Sequence, residues 1–181
     1  VNDLVVNDLT VSPLATDSFT DTNGTLLSAH TATTGQSWVR HVNFLVDSEI
    51  QSNVARNKAP GSGISIHYLN MTMPSPDYSV QAVLHSTVTA GTSSGVAGRV
   101  DTSASTLYFL RLIGSSTNEL QMFKTVAGSS TSLGTYSFTP VAGTDYTLKL
   151  TMVGTTIKGY LDGVERISVT DSAITAAGKP G

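Results

Sequence analysis

The chain has 181 residues, a formal net charge of -3 and 13% charged residues. This length fits one domain with one sizeable core, and the small, scattered charge argues against nucleic-acid binding, which requires a clustered basic face. No apolar run of about 18 residues is present, which argues against a membrane span. The absence of cysteine excludes disulfides, thiolate metal ligands and cysteine nucleophiles.

The composition favours an all-β fold. Ser and Thr together make up about a quarter of the residues, Gly occurs 16 times, and Lys and Glu are scarce. No segment keeps a 3.6-residue apolar period over three turns, whereas short alternating segments recur between Gly, Ser and Asp turns. We therefore expect an antiparallel β-sandwich of jelly-roll type with almost no helix.

The first residues read as an extension ahead of the globular domain. Residues 1–14, VNDLVVNDLTVSPL, contain the near-repeat VNDL and VVNDL and alternate only loosely between apolar and polar positions. We expect residues 1–16 to form an extended N-terminal arm or leader, with a frayed terminus as the alternative. The jelly-roll domain is then expected to span residues 17–181.

The first strands follow from Asp17. An Asn-Gly turn is expected at residues 23 and 24, and Trp38 is an apolar point of the next segment. Residues 57–64, NKAPGSGI, read as a loop, and ISIHYLNMTM reads as a strand.

The second half of the chain alternates more clearly. In DYSVQAVLH, Gln81 and His85 face away from the apolar positions, and in STLYFLRLIG, Arg111 shares a face with Phe109. In NELQMFKTV, Phe123 shares a face with Gln121. The segments TDYTLKLTMVG, TIKGYLDG and VERISVT complete the series of predicted strands.

Three acidic residues lie close together in GYLDGVERISVTDS, namely Asp162, Glu165 and Asp171. Paired carboxylates are the groups used in glycoside hydrolysis. Asp162-Gly163, however, lies between two strands of matching length and is a preferred two-residue hairpin turn. We therefore interpret this stretch as a corner of the fold and not as an active site.

The other signals for catalysis are weak, and no catalytic residue is predicted. Asp47 and Glu49 share a strand face, but the third carboxylate of an E-x-D-x-x-E glucanase motif is missing. No HExxH, EF-hand or GxSxG pattern is present. No cofactor is expected, although a structural calcium bound by loop carbonyls and Asp17, Asp21 or Asp101 remains an alternative.

A binding face is the remaining functional signal. Sugar sites combine exposed aromatic rings with planar hydrogen-bonding side chains, because rings stack on the C–H faces of sugars. The competing interpretation is that the Tyr and Trp rings pack in the core or across strands. The candidate ligand-binding residues are Trp38, Gln81, His85, Arg99, Tyr108 and Arg111.

An ordered run of short motifs resembles a known family. The motifs are DSFTDTNGTLLSAHTATTGQSW, DYSVQAVL, GVAGRVD, LYFLRL, LGTYSF and DYTLKLTMVGTTIKGYLDGVERISVTDSAIT. Over roughly residues 17–181 the chain resembles the concanavalin A-like lectin/glucanase superfamily in its laminin-G-like form. It is most similar to modules of phage structural proteins and of secreted bacterial proteins.

The superfamily includes glucanases, but their catalytic motif is absent from this sequence, so we expect a non-catalytic function. The leading expectation is a bacteriophage virion surface module, such as a capsid decoration, head-fibre or tail-associated protein, that acts in assembly and attachment and binds glycans. The alternative is a carbohydrate-binding accessory domain of a secreted bacterial protein, and a glucanase-like hydrolase is third. The family usually has one further strand beyond AGKPG, so we expect the N-terminal arm or a neighbouring subunit to cover the open edge.

Overall fold

A computed structural model describes residues 3–8, 13–58, 63–86, 92–114 and 118–181, with only the backbone described at residues 7, 8 and 92. Within these ranges the chain forms fourteen strands and one short 3₁₀ helix. The strands are β1 (Leu4–Asp8), β2 (Pro13–Asp17), β3 (Trp38–Arg40), β4 (Ser48–Gln51), β5 (Val54–Asn57), β6 (His67–Leu69), β7 (Tyr78–His85), β8 (Thr92–Gly98), β9 (Leu107–Gly114), β10 (Glu119–Val126), β11 (Ser129–Ser137), β12 (Asp145–Val153), β13 (Thr156–Leu161) and β14 (Val164–Thr170). The helix is η1 (Leu27–Ala29). No helix in the described part of the chain is long and apolar enough to span a bilayer.

Two antiparallel sheets form the body of the protein. One has six strands in the order β14-β13-β12-β7-β1-β2, and the other has four in the order β11-β10-β9-β8. Two small pairs, β3-β6 and β4-β5, complete the described strands. The expectation of an all-β antiparallel sandwich with almost no helix is confirmed.

The main core lies between the two sheets. Alternate residues of β7 and β12, such as Val80 and Leu148, are fully buried, as are Leu110 and Met122 on the opposing sheet. This burial follows the two-residue period of the strands, since successive side chains point to opposite faces. The intervening residues of β9 and β10 therefore lie on the outer face of the four-stranded sheet.

The structure differs from the expected arm at residues 1–16. Strand β1 pairs with β7 on one side and with β2 on the other, so it is an interior strand of the six-stranded sheet. Leu4 and Val6 are buried in the main core, which accounts for these two apolar positions of the near-repeat. Both edges of β1 are paired, so it offers no free edge to another subunit. Residues 1, 2 and 9–12 of the predicted arm lie outside the described residues.

The edge of β8 is covered by the last residues of the sequence. Gly181 exchanges two backbone hydrogen bonds with Ala97, at 2.6 and 3.0 Å, and the Leu69 N–H donates to the carbonyl of Pro180 at 2.9 Å. Lys179 forms a further bridge with Val100. The segment therefore joins the edge of β8 to β6.

A second, smaller cluster covers part of the outer face of this extended sheet. Trp38 and Leu69 belong to the main core, whereas Tyr68, the neighbour of Leu69, belongs to the second cluster. Neighbouring residues of a strand point to opposite faces, so the second cluster lies across the sheet from the main core. Phe109 packs against this cluster from β9.

The corner at residues 162 and 163 has the predicted turn conformation. Asp162 and Gly163 have φ values of 50° and 78° and connect β13 to β14. Positive φ at both central residues is the type I′ geometry that favours Asp-Gly in two-residue hairpins.

Candidate functional site

Trp38 does not provide a surface for a ligand. Its side chain is 4% exposed, its ring lies 5.7 Å from that of Phe19, and its Nε1 donates to Asp17 Oδ2 at 2.6 Å. The prediction of Trp38 as a ligand-binding residue is wrong, because the ring is buried. Alternation places the ring on the inner face of β3, where burial of its apolar surface outweighs any gain from exposure.

Asp17, a candidate calcium ligand, is already fully engaged by protein donors. Asp17 Oδ1 accepts hydrogen bonds from the Phe19 N–H at 2.9 Å and from His30 Nε2 at 3.0 Å. His30 Nδ1 in turn lies 3.0 Å from Asp21 Oδ2, and Asp101 accepts hydrogen bonds from N–H groups of its own loop. In the described ranges, no group of three or more His, Cys, Asp or Glu side chains is arranged to hold a metal ion.

The contacts of His30 favour its charged form. Both ring nitrogens face carboxylate oxygens, which only accept hydrogen bonds. Both nitrogens must therefore carry a proton to donate one hydrogen bond each. Burial opposes the charge, but the hydrogen bonds to Asp21 and Asp17 outweigh it and raise the pKa of His30 above 6.5.

This arrangement predicts a pH-dependent contribution to stability. A raised folded-state pKa stabilises the protein fully below about pH 6.5, and the contribution is lost as the pH rises through the folded value. We expect His30→Gln to lower the free energy of unfolding more at about pH 6 than at about pH 9, as measured by urea denaturation. His67→Gln is the matched control: burial lowers the pKa of His67, so its pH dependence should have the opposite sign. An equal cost of His30→Gln at both pH values would contradict the charged pair.

Arg99 also serves the structure and is not exposed to a ligand. The residue is 2% exposed, and its guanidinium donates to the carbonyls of Pro76, Gly154 and Ile174 at 3.0, 3.0 and 2.6 Å. It thereby ties the end of β8 to three separate connections. The prediction of Arg99 as a ligand-binding residue is corrected, because its donors are used within the protein.

Tyr108 lies on the inner face of β9 and is fully buried. Its Oη donates to Asp171 Oδ1 at 2.6 Å, while Lys124 Nζ binds the other oxygen of the same carboxylate. Burial, followed by the hydrogen bond to Asp171, raises the pKa of Tyr108 to about 12. Tyr108 is therefore a buried residue that anchors the segment after β14, and its prediction as a ligand-binding residue is wrong.

Gln81 and His85 lie on the outer face of the six-stranded sheet. Gln81 is half-buried between Val5 and Lys149 on the neighbouring strands. His85 is more exposed, and its Nδ1 lies 2.7 Å from Asp145 Oδ1. Arg111 lies on the outer face of the other sheet, so the six candidate residues do not form one site.

Arg111 instead belongs to a group of side chains that we call the aromatic–arginine cluster: Phe109, Arg111, Glu119, Gln121 and Phe123. Phe109 and Phe123 are cross-strand partners whose rings stack at 5.2 Å with an interplanar angle of 7°. The Arg111 Cζ lies 5.0 Å from the Phe123 ring centroid and 5.8 Å from that of Phe109. Arg111 Nε donates to Gln121 Oε1 at 2.9 Å, and Gln121 Nε2 donates to Glu119 Oε2 at 2.9 Å.

Small residues flank this cluster on both sides. Gly95 lies opposite Arg111 on β8, and Ser132 and Thr135 lie opposite Phe123 and Gln121 on β11. Gly95, Ser132 and Thr135 are exposed. A side chain at position 95 would collide with the backbone of β9, so this position requires glycine and contributes no side chain that could cover Arg111. Aromatic and planar polar groups are thus partly exposed together on one sheet face.

Sequence reasoning identified one member of the cluster and missed four. Alternation already placed Phe109 beside Arg111, and Phe123 beside Gln121, on their own strands. The missing information was the register between β9 and β10, which brings the two phenylalanines together. Pairing of the two segments as a hairpin would have predicted the contact between Phe109 and Phe123.

Asp47 and Glu49, the near match to a glucanase motif, have partners on separate elements. Asp47 accepts hydrogen bonds from His67 Nε2 at 2.8 Å and from the Ser28 hydroxyl at 2.9 Å. Glu49 pairs with Arg56 on the neighbouring strand at 2.8 Å. Both carboxylates are therefore occupied by neighbouring side chains.

Comparison with known proteins finds a similar fold among solved structures but no match by sequence. No protein-family model matches the chain, and no curated protein sequence matches it. Among solved structures, the chain is similar to a carbohydrate-binding module, CBM66 from Bacillus subtilis, with a TM-score of 0.65 and 19% sequence identity. The alignment covers 80% of this chain and 84% of that chain. At this identity the likeness shows the fold alone, an all-β sandwich consistent with the predicted lectin-like jelly roll.

Proposed function

We propose that this protein is a non-catalytic carbohydrate-binding module and that the aromatic–arginine cluster holds the glycan. The observation that carries the proposal is the partly exposed Phe109–Phe123 stack beside the hydrogen-bonded row of Arg111, Gln121 and Glu119. The likeness to a carbohydrate-binding module supports it.

The chemistry of the cluster suits a sugar. Apolar C–H faces of a pyranose or furanose ring pack against aromatic rings, while planar polar groups bind the hydroxyls at the ring edge. The Arg111–Gln121–Glu119 row presents donors and acceptors in one line, and the hydrogen bonds within it hold each side chain in position. A pre-oriented row loses less side-chain entropy on binding than free side chains would.

Of the two expected functions, the carbohydrate-binding accessory domain is favoured over the virion module. Neither the fold nor the comparisons support a virion role, whereas the structural neighbour is itself a carbohydrate-binding module. We therefore propose an extracellular setting, with glycans as the partners.

Binding to immobilised glycans tests the proposal. We expect the wild-type protein to bind a subset of an array of plant, fungal and bacterial polysaccharides. Phe123→Ala should weaken binding to those polysaccharides by about five- to thirtyfold, because a stacking surface worth about 1 to 2 kcal/mol is removed.

Tyr160→Ala is the matched control, because Tyr160 is an aromatic residue on the outer face of the six-stranded sheet with Lys149 over its ring. It should leave binding unchanged. Retained binding in Phe123→Ala together with loss in Tyr160→Ala would place the site on the opposite face. No binding to any polysaccharide would refute the proposed function itself.

A further inference from the structure

Three of the other four arginines are bound by carboxylate or carbonyl oxygens of the protein, whereas the half-buried Arg111 and the exposed Arg166 lie over aromatic rings. Arg56 pairs with Glu49, Arg99 is saturated by carbonyls, and Arg40 donates to the carbonyls of Phe44 and Leu45. Within the described residues, no carboxylate oxygen lies within 4.0 Å of the Arg111 guanidinium.

The sequence also argues against a carboxylate partner for Arg111 in the ranges outside the described residues. The ranges outside the described residues, 1–2, 9–12, 59–62, 87–91 and 115–117, contain no Asp or Glu. Asp8, whose side chain is not described, belongs to β1 in the other sheet. The guanidinium therefore has Gln121 and two aromatic rings as neighbours, and no carboxylate of the described residues lies within 4.0 Å of it.

The carboxylate of the cluster lies on the far side of Gln121. Glu119 is two positions from Gln121 on β10, which is about 7 Å along the strand, and its Oε2 accepts a hydrogen bond from Gln121 Nε2. Arg111 leans toward the rings instead, at 5.0 Å from the Phe123 centroid. A sugar stacked on the rings would consequently meet the cation before the anion.

Partial burial strengthens the electrostatics of this guanidinium. Arg111 is half-buried, and burial lowers its pKa. Removal of water from around a charge strengthens its attraction to an opposite charge. A planar guanidinium also matches a carboxylate with two parallel N–H···O bonds, which a lysine cannot reproduce.

We propose that the glycan bound by the aromatic–arginine cluster is acidic, with the carboxylate of a uronic acid residue paired to Arg111 and the sugar ring placed against Phe123. This inference rests on the proposed function and adds the class of ligand. The flanking hydroxyls of Ser132 and Thr135 then bind neighbouring sugar hydroxyls.

Polyuronates and their neutral counterparts provide the test. Polygalacturonate and alginate are each compared with the carboxyl-reduced form of the same polymer by affinity electrophoresis, which holds backbone and linkage constant. We expect the wild-type protein to bind at least one acidic form about tenfold more tightly than its reduced form at about 0.05 M salt, and the difference to shrink at about 0.5 M salt.

Substitution of the arginine separates charge from stacking. Arg111→Gln should remove the preference for the acidic form, and Arg111→Lys should restore part of it. Arg166→Gln is the control, because Arg166 is an exposed arginine that lies 4.6 Å over the ring of Tyr136, away from the cluster, and should leave the preference intact.

Three outcomes would overturn the inference. Equal binding of acidic and reduced polymers, or binding of neutral polysaccharides alone, would leave the carbohydrate-binding function standing without an acidic ligand. An acidic preference unchanged in Arg111→Gln would assign the charge recognition to another residue. Failure to bind any polysaccharide would instead remove the proposed function on which the inference rests.

Discussion

Replacement of Arg99 with methionine is expected to lower the free energy of unfolding by about 3 kcal/mol or more. Methionine keeps much of the buried volume but leaves the carbonyls of Pro76, Gly154 and Ile174 without their donor. The bond to Ile174 is buried, and a buried carbonyl that loses its partner costs about 1 to 3 kcal/mol, whereas the bonds to Pro76 and Gly154 are part-buried and contribute less. The melting temperature should fall on the order of 10 °C for a chain of this size, as measured by calorimetry.

Two further variants define the role of Arg99. Arg99→Lys should recover only part of the stability, because one ammonium cannot reach three carbonyls that the planar fork reaches together. Arg166→Met, at an exposed arginine, should change stability by less than about 0.5 kcal/mol. If Arg99→Met kept wild-type stability and lost glycan binding, the original interpretation of Arg99 as a ligand-binding residue would be correct.

Replacement of Asp17 with alanine should have an effect of similar size. Asp17 is 2% exposed and accepts hydrogen bonds from Trp38 Nε1, His30 Nε2 and the Phe19 N–H. Its removal leaves three buried donors, one of them on a charged ring, and an expected loss of about 3 kcal/mol or more. Trp38 is the single tryptophan of the chain, so its fluorescence reports unfolding at this site directly.

Asp21→Ala is the matched control for Asp17. Asp21 contacts the other nitrogen of His30, but its side chain is 33% exposed, so water can replace the lost hydrogen bond and the cost should be much smaller. A titration with calcium distinguishes the alternative role of Asp17. If millimolar calcium raised the melting temperature of the wild-type protein but not of Asp17→Ala, Asp17 would be a metal ligand and its hydrogen-bonded role would be secondary.

Local patterns predicted the class of the fold and the faces of the strands. The two-residue alternation placed Gln81 and His85 outward, and it grouped Phe109 with Arg111 and Phe123 with Gln121. The Asp162-Gly163 turn followed from the requirement for positive φ at both positions. These features depend on neighbours only a few residues away, so the sequence alone contains the necessary information.

The apolar–polar alternation within a strand does not predict which other segments cover its outward face or pair with a terminal segment. Residues 4–8 read as an arm because a single loosely alternating segment has no visible partner, whereas β7 and β2 bury both of its edges. Arg99 read as a ligand contact because charged residues are mostly exposed, yet three carbonyls from distant parts of the chain compensate for its burial.

By itself, the sequence determined that this protein is an antiparallel β-sandwich with almost no helix, because strand periodicity and turn chemistry are local properties of the chain. Tertiary structure alone decided which polar and aromatic residues meet. Trp38, Arg99 and Tyr108 became buried anchors through contacts with Asp17, Ile174 and Asp171, each more than 20 residues away. The register of β9 against β10 brought Phe109, Phe123 and Arg111 together, because long-range pairing depends on how strands pack and not on any pattern within one strand.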